Sequence, residues 1–146
     1  MNASDLYDAD ILQWSEQQSR LLRRLAAGER VNDDIDWENV VEEIESVGNE
    51  QLHAVSSLST RAIIHRLKAI GWPDAVDVDN WQADAERFRG DAADRFTPSM
   101  RQRLDMTHIY RRALRAVPAR MDGKPPLSLP TECPWSLDEM LSDDKP

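Results

Sequence analysis

The chain holds one cysteine, Cys133. No internal disulfide can form, and one thiol cannot build a zinc site of the common cysteine-rich kind. No run of about 18 apolar residues occurs, which excludes a helical membrane span. The opening stretch MNASDLYDAD lacks the charged-then-apolar pattern of a signal peptide, so a cytoplasmic location is expected. The glycine-rich phosphate and dinucleotide loops, the zincin helix and the paired-cysteine redox motif are all missing. Glycine is scarce, at five in 146 residues, and charged residues make up 31%. That is the composition of one soluble domain, neither collagen-like nor disordered.

Positive charge is scarce in one place. Residues 1–50 hold thirteen acids against four bases, a net of −9, so the remaining residues are neutral in sum. The whole-chain charge of −9 argues against general nucleic-acid binding, which needs a cationic footprint.

What is present is helical periodicity. Tyr7, Ile11, Trp14, Leu21, Leu22 and Leu25 predict a helix over 8–27, stopped at Gly28. Asp36 is placed to cap a second helix, whose apolar positions recur at three and four residues to about Ile70. Its core stripe is expected to centre on Trp37, Val41, Ile44 and Gly48. A straight helix of that length would measure roughly 50 Å. A single domain of this size has a radius of gyration of only about 15 Å, so a bend or break is expected at Gly48 or in Ser56–Thr60. Trp81, Ala85, Phe88, Ala92 and Phe96 mark a third helix, capped by Asp79 and weakened at Gly90. Thr97-Pro98 predicts the start of a fourth, running to about Val117. A proline-rich connection over 122–134 follows. Ser136 and Glu139 then form a capping box, with Trp135 stapled onto Met140, for a short last helix before a solvated SDDKP tail. With no strand alternation and no repeat, the expected fold is all-α: one domain, 1–146, a compact bundle of four main helices plus a C-terminal helical turn.

Three stretches carry a family resemblance. They are Asp36-Trp37-Glu38-Asn39-Val40-Val41-Glu42-Glu43-Ile44-Glu45-Ser46-Val47-Gly48, then His65-Arg66-Leu67-Lys68 with Asn80-Trp81-Gln82 and Arg87, then Glu132-Cys133-Pro134-Trp135-Ser136-Leu137. In this order they resemble the bacterial family catalogued as domain of unknown function 29. One departure is Ala69, where the family often has an aromatic. The resemblance implies an α-helical bacterial protein and supplies no activity, cofactor or catalytic residue.

The residues offer several candidate sites. Glu38, Glu42 and Glu45 share a stripe beside the expected core, with Glu43 on the other flank. Solvated or arginine-paired carboxylates are the ordinary outcome there; with His65 they form the candidate set for metal or proton chemistry. Glu50 with His53 and Asp105 with His108 resemble halves of a di-iron motif. Both histidines, however, point away from their core stripes, so surface histidines are expected. Arg101, Arg111, Arg112 and Arg115 cluster on one helix face, a candidate surface for an anionic partner or for the acidic third of the same protein. Trp14, Trp37 and Trp81 are expected in the core, with Trp72 and Trp135 at helix boundaries. Cys133 is expected to be a small buried contact. No cofactor is implied. The leading expectation is a non-enzymatic interaction module, a homodimer or a partner of another protein. An enzyme or metal protein using helix 36–50, and a nucleic-acid role for helix 98–117, are the alternatives.

Overall fold

A computed structural model describes residues 1–141; the SDDKP expectation lies outside them. Six α-helices are present among these described residues: α1 (Ala3–Ala9), α2 (Ile11–Ala26), α3 (Trp37–Gly71), α4 (Val78–Arg95), α5 (Met106–Ala116) and α6 (Leu137–Leu141). Short 3-10 turns occupy Asn32–Asp34 and Pro98–Met100. The fold is all-α, with α2 to α5 as the main helices. Among the described residues the only β feature is an isolated bridge between Met121 and Lys124. No helix among them is long and apolar enough to cross a membrane.

The chain divides into two compact units, Met1–Asn49 and Glu50 onward. In the first, Trp14, Val31, Ile35 and Val40 form a buried cluster, walled by Leu6, Tyr7, Leu21, Leu22 and Leu25. The helix expected over 8–27 is α2, Ile11–Ala26, and a separate helix, α1, precedes it, because Asp10 interrupts the helical backbone between them. Its φ of −154° is extended, and its carboxylate accepts the Gln13 N–H at 3.1 Å as the N-cap of α2. Gly28, at φ +95°, ends α2 as expected.

In the second unit, Ala62, Ile63 and Leu67 of α3 pack with Ile109, Tyr110 and Ala113 of α5 and Met140 of α6. A neighbouring cluster joins Val55, Ala92 and Met100. The helix expected over 98–117 is shorter. Thr97-Pro98 starts only a 3-10 turn, and Asp105 caps α5 by accepting from the Thr107 and His108 N–H groups at 3.0 and 3.3 Å. The proline-rich connection is tied down by three bonds. Leu127 N–H donates to the Gly71 carbonyl at 2.8 Å, Trp72 Nε1 donates to the Lys124 carbonyl at 3.0 Å, and the Tyr110 hydroxyl donates to the Pro130 carbonyl. At the last helix, Glu139 N–H donates to Ser136 Oγ at 3.1 Å, which is the serine half of the expected capping box.

The expected break in the second helix is absent: α3 is one element of 35 residues. Gly48 meets nothing that would interrupt it, and the Thr60 hydroxyl satisfies itself on the Ser56 carbonyl at 2.8 Å within the helix. Residues of α3 up to Asn49 belong to the first unit and the remainder to the second.

Candidate interaction surface

The amino-terminal part of α3 is anchored through polar side chains. Asp36 receives the indole N–H of Trp14 at 3.0 Å and the Asn39 amide at 2.7 Å, both on Oδ2, while its own N–H donates to Gln18 Oε1 at 2.8 Å. One turn on, Tyr7 donates to Glu43 Oε1 at 2.6 Å. That bond, with the carboxylates of Glu43, Glu42 and Asp8 nearby, pushes the Tyr7 pKa up to about 12. Asp36, Asn39, Val40, Glu43 and Ser46 therefore mark the inward side of the helix.

This orientation overturns the expected core stripe. Trp37, Val41 and Ile44 are exposed by 46%, 50% and 69%, Val47 is also exposed, and so is Gly48. The positions recur at four, three and four residues, so the helix carries an apolar stripe turned to solvent. Trp37 is held in place, because its Nε1 donates to the Asn32 carbonyl at 2.9 Å. Glu38, Glu42 and Glu45 lie exposed along one flank of the stripe, none of them at the border of a core. The acid that does reach inward is Glu43. Burying three apolar side chains of this kind would ordinarily contribute about 1.5–3 kcal/mol each.

His65 lies in the second unit, half-buried and stacked on Phe88 with centroids 5.5 Å apart. Burial, aided by Lys68, lowers its pKa and favours the neutral imidazole. Its Nδ1 has no hydrogen-bond partner among the described residues. No group of three His, Cys, Asp or Glu residues there is placed to hold a metal ion. His53 and His108 are exposed.

The arginine cluster is regrouped. Arg101 lies in the turn before α5, not on the helix, and its Nη1 pairs with Asp138 Oδ1 of α6 at 2.6 Å. Arg111, Arg112 and Arg115 remain exposed on α5, where His108, Arg112 and Arg115 line a shallow open depression. Arg89 was not singled out by its sequence position. It is buried, paired to Glu86 at 2.6 Å, and reaches the Met140 carbonyl at 3.4 Å, linking α4 to α6. Arg66 lies 5.0 Å from the Trp135 ring centre. Cys133 is half-buried, its thiol donating to the Trp135 carbonyl at 3.2 Å. A cavity of about 340 Å³ in this unit is lined by Trp72, Asp74, Asp77, Trp81, Asp122 and Lys124, among others.

Comparison with known proteins places this architecture. A crystal structure of an alpha-helical protein of unknown function from Rhodospirillum rubrum is similar, with a TM-score of 0.70 and 31% sequence identity over 94% of this chain and 90% of that one. No curated protein matches. A family described as "Domain of unknown function DUF29" matches residues 6–145, nearly the whole chain, and the chain belongs to that family.

Proposed function

We propose that this protein is a non-enzymatic interaction module of the bacterial cytoplasm, and that its contact surface is the outward face of α3. The observation that supports the reading is the exposed stripe of Trp37, Val41 and Ile44. The buried cluster of the first unit takes Val40 from this helix and none of these side chains. The stripe is also presented with little conformational freedom. It sits on a helix anchored by Asp36 and Glu43, with the Trp37 indole fixed to the Asn32 carbonyl. A rigid aromatic beside aliphatic side chains is the usual composition of an energetic centre in a protein interface.

Site-specific photo-crosslinking in living cells tests this. A photoreactive residue in place of Ile44 is expected to give a discrete higher-mass adduct. The same residue at Asp91, exposed on α4, serves as the control and is expected to give none. Absence of an adduct from Val41, Ile44 and Val47 alike would remove the reading.

A further inference from the structure

We infer that the occupant of the α3 face is a cationic amphipathic helix of another protein. The inference rests on the interaction reading above and names the chemistry of the partner. The apolar stripe is bordered along one side by Glu38, Glu42 and Glu45, all exposed. Between residues 31 and 60 the chain contains no lysine and no arginine. An incoming helix that covered Trp37, Val41 and Ile44 would therefore lie against three carboxylates on a stretch of chain that carries no lysine or arginine of its own. The match is an apolar face flanked by Lys or Arg, which satisfies both the burial and the charge.

A second copy does not supply this. Two such stripes packed antiparallel bring the glutamate flank of one against that of the other, a like-charge contact. Packed in parallel, each glutamate flank meets the Val47 side of the other stripe, again without a cation. The basic helix of the chain, α5, is amphipathic, but its apolar side chains Ile109, Tyr110 and Ala113 are already buried in the core of the second unit. It can offer a second copy charge and no apolar face. An anionic lipid surface would be repelled by the same three glutamates.

The test is a fluorescence-anisotropy titration of the full chain. The probe is a labelled Leu/Lys amphipathic peptide, about eighteen residues long so that a helix is accessible to it. A Leu/Glu peptide with the same spacing is the control. Saturable binding of the Leu/Lys peptide is expected, with no comparable binding of the control. Ile44→Glu should weaken it by about tenfold or more, as when a central apolar anchor is replaced by charge, while Ile44→Leu retains it. Glu38→Gln, Glu42→Gln and Glu45→Gln together should weaken it and flatten its salt dependence. Ile44 is 69% exposed, so the substitutions leave the fold intact, and circular dichroism checks this. Equal binding of the two peptides, or unchanged binding to Ile44→Glu, overturns the inference. So does a dimer seen by light scattering that Ile44→Glu dissociates, since the occupant is then a second copy. A crosslink at position 44 combined with any of these results keeps the interaction reading and removes only the cationic helix.

Discussion

Tyr7 and Glu43 lie 36 positions apart and meet in one hydrogen bond, which fixes α1 against α3 within the first unit. The bond holds the phenol protonated, so the Tyr7 pKa rises to about 12 from the ordinary value of about 10. A group whose pKa is raised on folding contributes stability that is complete below its unfolded pKa and lost as pH rises through the folded one. The contribution of Tyr7 is thus present below about pH 10 and disappears by about pH 12. Ultraviolet titration checks this. The difference between the native protein and Tyr7→Phe is expected to show a phenol ionising near pH 12. A difference titrating near the ordinary value would mean the Glu43 bond is not formed in solution. Glu43 also shows how a sequence reading misassigns a charge. Four acids crowd Glu38, Glu42, Glu43 and Glu45, and helical spacing sorts them into flanks. Which flank turns inward depends on Tyr7, Trp14 and Gln18, whose positions are set by tertiary packing.

At the scale of elements, two glycines in helices have opposite roles. A Cβ at Gly71 would stand 2.9 Å from Pro126 Cβ, and the Gly71 carbonyl accepts the Leu127 N–H. The end of α3 and the proline-rich connection approach so closely because no side chain intervenes. Gly71→Ala is expected to lower stability by about 1–3 kcal/mol, the usual cost of overpacking. Gly90, inside α4, has nothing within 4 Å of its missing Cβ. Gly90→Ala should therefore raise stability by about 0.5–1 kcal/mol through helix propensity alone. Chemical denaturation of both variants checks the pair. If Gly71→Ala raises stability as Gly90→Ala does, the docking of Pro126 on Gly71 is not as described. The helix starts teach a related lesson. Asp10 and Asp105 are ordinary caps in retrospect, yet each lies inside or beside a periodic apolar pattern that continues past it. Periodicity joins two helices that share a face, whereas a cap separates them, and only backbone geometry shows which prevails.

At the scale of the whole molecule, the charge division is also a structural one. The acidic residues 1–50 coincide almost wholly with the first unit, Met1–Asn49. Its net charge opposes its own compaction by self-repulsion. The second unit is near neutral and has two buried clusters, one of them with seven buried side chains against four in the first unit. Raising salt from about 20 mM to about 500 mM shrinks the screening length several-fold and should relieve the repulsion. Hydrogen-exchange mass spectrometry is expected to show protection rising in 1–49 more than in 50–141. Equal change in both regions would mean that the local charge does not limit the stability of the first unit.

The sequence by itself determined the helical class, because apolar spacing of three and four residues, with few breakers, permits little else. It also determined the ends that have a local cause: Gly28 after α2, Pro73 beyond α3, Ser136 before α6. The family resemblance was legible for the same reason, being carried by short contiguous stretches. The tertiary structure decided which side of α3 is inside. A periodic stripe states that apolar residues share a face and does not state that anything covers it. Asp36, Val40 and Glu43 turn inward because Gln18, Trp14 and Tyr7 of other helices meet them, and so Trp37, Val41 and Ile44 are left in water. Those partners lie tens of residues away in the chain, where no local pattern can register them.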